Sequence, residues 1–106
     1  MPHYMFSGSY SKDGIQGVMK AGAASRREAV EKLFASLDGS LTSLFWTFGE
    51  GDFVVIGELP DNAAAAAAAM SVAGAGGSSI STTVLLTEAE VDEARGRTAD
   101  FRAPGR

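Results

Sequence analysis

The chain has 106 residues, 45% of them hydrophobic, no cysteine and a formal charge of −4. At about 100–200 residues per domain it holds one domain, whose folded surface should be roughly 5,600 Å². Disulfides, thiolate metal sites and a cysteine nucleophile are excluded, and an acidic chain whose densest basic pair is Arg26-Arg27 lacks the face that nucleic-acid binding needs.

The first residues, MPHYMFSGSY, have neither a basic n-region nor a long apolar h-region, so no secretory signal is expected. No apolar run reaches the ~20 residues of a membrane span. A soluble cytoplasmic protein is the expectation.

Residues 3–10 are aromatic and roughly alternating, which reads as a strand. Ser11-Lys12-Asp13-Gly14 punctuates the chain, and Asp13 with Gln16 fits a variant capping box. From Ile15 an apolar stripe runs through Val18, Met19, Gly22, Arg26, Ala29, Val30, Leu33 and Leu37 at helical spacing. That predicts one long helix, bent or broken near Gly22–Ser25, and ended at Asp38-Gly39.

Residues 40–48 and 53–59 read as strands that are apolar on both faces, joined by the turn Gly49-Glu50-Gly51-Asp52 into a hairpin. Leu41, Phe45 and Thr47 are expected on one face, Leu44, Trp46 and Phe48 on the other. Asp61 or Asn62 then caps a helix built on Ala63–Ala69 and stopped by Gly74, Gly76 and Gly77. Residues 79–86 form a fourth strand, and Thr87-Glu88 opens a short helix to about Arg97. A domain over 1–97 and a tail over 98–106, with Phe101 its one large apolar group, complete the division.

The order β-α-β-β-α-β is the split βαβ, ferredoxin-like arrangement, an α+β fold with a four-stranded antiparallel sheet, here with an extra C-terminal helix and arm. A sheet with one wet face shows polar residues there. These hairpin strands do not, and so short a chain has little left to cover a second face. A second copy is the economical cover, giving a homodimer or a higher oligomer with sheets face to face. The C-terminal helix and tail covering the face alone is the alternative.

The stretches Tyr10-x-x-x-Gly14-Ile15, Ser25-Arg26-Arg27-Glu28-Ala29-Val30, Gly39-x-Leu41, Phe48-Gly49-Glu50-Gly51-Asp52 and Leu59-Pro60-Asp61-Asn62 resemble the GYD family, in register over nearly the whole chain. That resemblance implies the dimeric α/β-barrel form of the ferredoxin-like fold and carries no settled activity with it. The family's Gly-Tyr-Asp motif departs here: Gly51 stands in place of its tyrosine. Any phenol the family uses there is absent or comes from elsewhere.

Candidate site residues follow from chemistry. Arg26, in the middle of an apolar stripe, is either a clamp for a carboxylate or other anion, or one half of an ion pair with Asp52 or Glu50. Both readings expect it substantially buried and bonded to oxygen. The more exposed Arg27 is expected in solvent. Asp52 bonds N–H groups of its own turn, or serves as a pocket acid or base. Tyr4, Tyr10, Trp46, Phe6, Phe45, Phe48 and Phe53 are core, dimer interface, or walls of an apolar pocket between sheet and helices.

His3, the only histidine, belongs at the surface or a strand edge, with a proton shuttle as the sharper alternative. No second histidine or tight carboxylate cluster accompanies it, so no metal and no cofactor are expected. Gly74-x-Gly76-Gly77 follows a helix, the reverse of a phosphate loop.

The expected function is a homodimeric module for binding a small apolar or aromatic ligand, or for assembly, with candidate ligand-binding residues Tyr4, Tyr10, Arg26, Trp46 and Asp52. The alternative is a cofactor-independent enzyme similar to the monooxygenases of related dimeric α/β-barrel families. That alternative is an analogy of fold, which does not fix function.

Overall fold

The computed structural model covers residues 1–106. Strand β1 (His3–Gly8) leads into helices α1 (Lys12–Ala21) and α2 (Ala23–Ser36). The hairpin strands β2 (Ser40–Trp46) and β3 (Phe53–Glu58) follow, then helix α3 (Asn62–Ala75), strand β4 (Ser81–Leu85) and helix α4 (Glu88–Arg95). The sheet order is β2-β3-β1-β4, every neighbouring pair antiparallel. This is the ferredoxin-like α+β fold with its first helix in two pieces and a helix added at the end.

The break expected near Gly22–Ser25 falls at Gly22, whose φ of 90° no L side chain adopts comfortably, so the long stripe becomes two helices. One local signal differs from the sequence reading. Ser11, not Asp13, caps α1: its hydroxyl accepts the Gly14 N–H at 3.0 Å. A serine just outside the first turn reaches the free N–H groups better than a carboxylate already inside it. Asp61 caps α3 as expected, accepting from the Ala64 N–H at 2.8 Å. Thr87 and Glu90 form a reciprocal capping box on α4, and those hydrogen bonds hold the exposed Glu90 carboxyl below its ordinary range.

The register decides what the helices cover. Tyr4 stands opposite Gly57, Phe6 opposite Val55, and Gly8 opposite Phe53. On β2, Leu44 pairs with Val55 and Trp46 with Phe53. All of these share the helix-covered face, since directly paired residues point the same way. A bulge between Leu41 and Ser43 inserts Thr42 as an extra residue. It puts Leu41 on the same face as Leu44 and Trp46, where strict alternation had placed it with Phe45.

The core of nine buried residues sits between this face and the helices. It includes Tyr4, Phe6 and Phe34, each no more than 3% exposed. The Phe34 ring of α2 lies directly over Gly57, where a Cβ would collide with it.

The other face carries Met5, Phe45, Val54, Ile56 and Leu85 among Ser7, Ser43, Ser81, Thr83, His3 and Glu58. No helix covers its apolar group, and Phe45 is 67% exposed. Beyond Leu85 no residue is buried, and Leu86, Val91 and Phe101 lie exposed. The C-terminal helix and arm therefore leave this face open.

The single chain exposes 7355 Å², against the roughly 5,600 Å² of an ordinary folded chain of its mass. Its radius of gyration, 16.7 Å, exceeds the ~13 Å of a compact chain this long. No helix is long and apolar enough to cross a membrane.

Candidate functional site

Alanine makes the space beneath the helices. α3 buries Ala65 and Ala68 against the sheet. Methyl groups let a helix approach closely but fill little volume, and the rings opposite do not make up the difference. An apolar chamber of about 60 Å³ remains between Phe6, Phe53 and Val55 of the sheet, Val30 and Phe34 of α2, and Ala68.

Outside it, a cleft of about 450 Å³ runs between α1, α2 and the C-terminal half of α3. Tyr10, Arg26, Leu33, Val72 and Ser78 border both spaces and form the neck between them. Twelve of the fourteen residues around the chamber are hydrophobic, and the other two, Arg26 and Ser78, are both at the neck. The polar groups thus stand where a bound molecule would pass from oil to water, the usual plan of a small-molecule site.

Tyr10 is fixed from three directions. Its N–H donates to Asp52 Oδ2 at 2.8 Å. Its hydroxyl accepts the Trp46 indole Nε1–H at 3.1 Å. Its ring tilts against Phe53, with centroids 5.2 Å apart. A single bridge to Ser78 ties the backbone there to the start of the last strand segment.

Asp52 is itself anchored, its N–H donating to the Gly8 carbonyl at 2.7 Å and its own carbonyl accepting from the Thr47 N–H at 2.9 Å. The hairpin turn so grips the end of β1 and sets the Tyr10–Trp46 pair at the neck. At Gly51, where the family tyrosine was expected, the carbonyl accepts the Thr47 hydroxyl at 2.7 Å. The phenol of this site is Tyr10's.

The sequence candidates separate accordingly. Tyr10, Trp46 and Arg26 come together around the chamber. Asp52 supports them without bordering either space, and its carboxylate bonds the Tyr10 N–H rather than its own turn. The expectation of a buried, oxygen-bonded Arg26 fails, and with it both the ion pair with Asp52 or Glu50 and the buried clamp. The residue is exposed on its solvent side and has no ion pair with Asp52, Glu50 or any other carboxylate. Spacing leaves it no intrahelical pair: the residues three and four positions away, Gly22 at the cap and Ala23, Ala29 and Val30 on α2, offer no charge. Arg27 is exposed.

Tyr4 lies elsewhere, 1% exposed in the core, its hydroxyl donating to Asn62 Oδ1 at 2.7 Å. Burial, then the Asp61 and Glu90 carboxylates, raise its pKa above the ordinary phenol value. His3 stands on the open sheet face, Nε2 4.0 Å from Glu58 Oε1. No group of three or more His, Asp or Glu side chains is gathered to hold a metal ion. Leu33, Val72 and Ser78 were missed. The neck is made by helices meeting in space, and no local pattern announces Ser78 after three glycines.

An α+β ferredoxin-like fold with an apolar chamber between sheet and helices is the class of protein defined here. The GYD domain matches residues 4–94, and the chain belongs to the GYD family. No curated protein and no solved structure matches it significantly.

Proposed function

We propose that this GYD protein is a homodimer that binds a small aromatic or otherwise apolar molecule between its sheet and its helices. The observation that carries the binding reading is the chamber itself: an apolar pocket with its few polar groups confined to the neck. The chamber alone is small, but it opens into a cleft of about 450 Å³, within the ~300–1,000 Å³ of ligand sites. A ring seated inward and a polar end at the neck would satisfy both environments.

The oxygenase-like alternative needs a group that takes a proton from the bound molecule. The chamber lining offers Tyr10 and Arg26 and no carboxylate or imidazole, which favours binding.

The dimer rests on the open sheet face. The chain exposes roughly 1,800 Å² more than its mass predicts, to which the arm contributes. A standard interface takes about 800 Å² per partner. A second copy laid on Met5, Phe45, Val54 and Ile56 would bury that apolar group in the self-complementary way a two-fold axis requires.

The test is a screen of small aromatic, quinone-like and carboxylate compounds by thermal stabilisation, followed by titration of the fluorescence of Trp46, the only tryptophan. Compounds that stabilise the fold and saturate the Trp46 signal support the reading. Ala68→Leu, which fills the chamber, should abolish both responses while the chain still unfolds cooperatively. Binding undiminished in that variant would place the ligand elsewhere.

A further inference from the structure

Arg26 is the one charged residue that borders the apolar chamber, and that placement points to the charge a ligand would carry there. Arg26 borders an apolar chamber, yet its guanidinium makes no ion pair and no hydrogen bond within the chain. The only carboxylate around either space, Asp13 on the cleft wall, is not within 4.0 Å of it. Beside it, Tyr10 accepts the Trp46 N–H and donates its own phenolic proton to no protein atom. Arg26, exposed on its solvent side, and Tyr10 thus both border the neck, and neither the guanidinium nor the phenolic proton has an acceptor within the chain.

We infer that the ligand is an aromatic or short-chain apolar carboxylate, its carboxylate held at the neck by Arg26 and the Tyr10 hydroxyl and its apolar part in the chamber. This rests on the chamber being a binding site. A planar guanidinium meets a carboxylate with two parallel hydrogen bonds, and the Trp46 donation leaves the Tyr10 proton free to supply a third. One guanidinium balances one negative charge, which favours a monoanion. Arg26 is then the residue that sets specificity.

The experiment compares phenylacetate with its neutral isostere phenylacetamide, in the wild-type chain and in Arg26→Gln. Both are titrated to millimolar concentration while the Trp46 indole N–H resonance is followed. Phenylacetate should bind the wild type about tenfold more tightly than phenylacetamide, the size of one charge-assisted hydrogen bond. Arg26→Gln should remove that preference. Phenylacetamide, whose carbonyl also accepts from a guanidinium, should lose less affinity in the variant than phenylacetate does, and cooperative urea unfolding of the unliganded variant shows it to be folded. Tyr10→Phe should lower the preference for the acid without erasing it.

Equal binding of acid and amide by the wild type would overturn the carboxylate assignment and leave the chamber a binding site. So would a preference that survives Arg26→Gln. If neither compound shifts the Trp46 resonance, the binding reading falls and the assignment falls with it.

Discussion

Asp52 and Tyr4 show how one carboxylate and one phenol are spent on building rather than on chemistry. Asp52 holds the Tyr10 backbone, and through it the hydroxyl that receives Trp46. Removing the acceptor strands a half-buried N–H. Asp52→Ala should therefore cost about 1–3 kcal/mol and shift the Trp46 fluorescence maximum, measured by urea unfolding and emission spectra. Asp52→Asn keeps an acceptor and should lose less. Neither role could be read beforehand, because Tyr10 and Asp52 lie 42 positions apart and nothing in either local stretch couples them. Tyr4 looked like pocket wall for the same reason as Tyr10: both are aromatics near a strand. The register turns Tyr4 into the core, while the bridge to Ser78 and the bond to Asp52 hold Tyr10 at the neck. Burial raises the Tyr4 pKa in the folded chain. Its stabilising contribution is therefore complete below the unfolded phenol value of about 10 and lost as pH rises through the higher folded value. The urea midpoint should fall more steeply above that pH in the wild type than in Tyr4→Phe.

Periodicity made most elements legible. The order of strands and helices, the cap at Asp61 and the glycine stop of α3 all follow from local rules. One element broke those rules through backbone geometry that an apolar pattern does not encode, and at a second the sequence left a bend and a break both open. The bulge at Thr42 reverses the facing of Leu41. At Gly22 a positive φ cuts one helical stripe into two helices. That break does more than end a helix, because it turns α2 so that Arg26, four residues on, borders the chamber. Gly22→Ala should cost about 1–2 kcal/mol, since a Cβ resists φ of 90°. It should also lower ligand affinity at the neck. Chemical denaturation and Trp46 titration read the two effects. A stability gain, as for an alanine in an ordinary helix interior, would show that α1 and α2 are one helix in solution.

At the scale of the molecule, a sheet covered on one side exposes on the other what a folded chain hides. The opposed apolar residues of β2 and β3 were visible in the sequence, and the structure leaves Phe45 67% exposed in the single chain. The chamber was not visible, because a void is a mismatch of volumes between α3 alanines and the rings across from them, and volumes meet only in three dimensions. The unpartnered Arg26 was equally hidden, since an arginine amid apolar neighbours looks like half of a buried ion pair. A second copy on the open face predicts that thermal stability rises with protein concentration. Phe45→Glu should give a folded monomer, and light scattering that finds the wild type already monomeric at micromolar concentration would refute the dimer. The most direct test of the central claim, that the space between sheet and helices is a binding site, is the Trp46 indole N–H resonance during titration with a panel of neutral and acidic single-ring aromatics. The account predicts saturable shifts at Trp46 and at the Tyr10, Val72 and Ser78 amides, with the outer sheet face unmoved. A Trp46 resonance that stays fixed across the whole panel would contradict it.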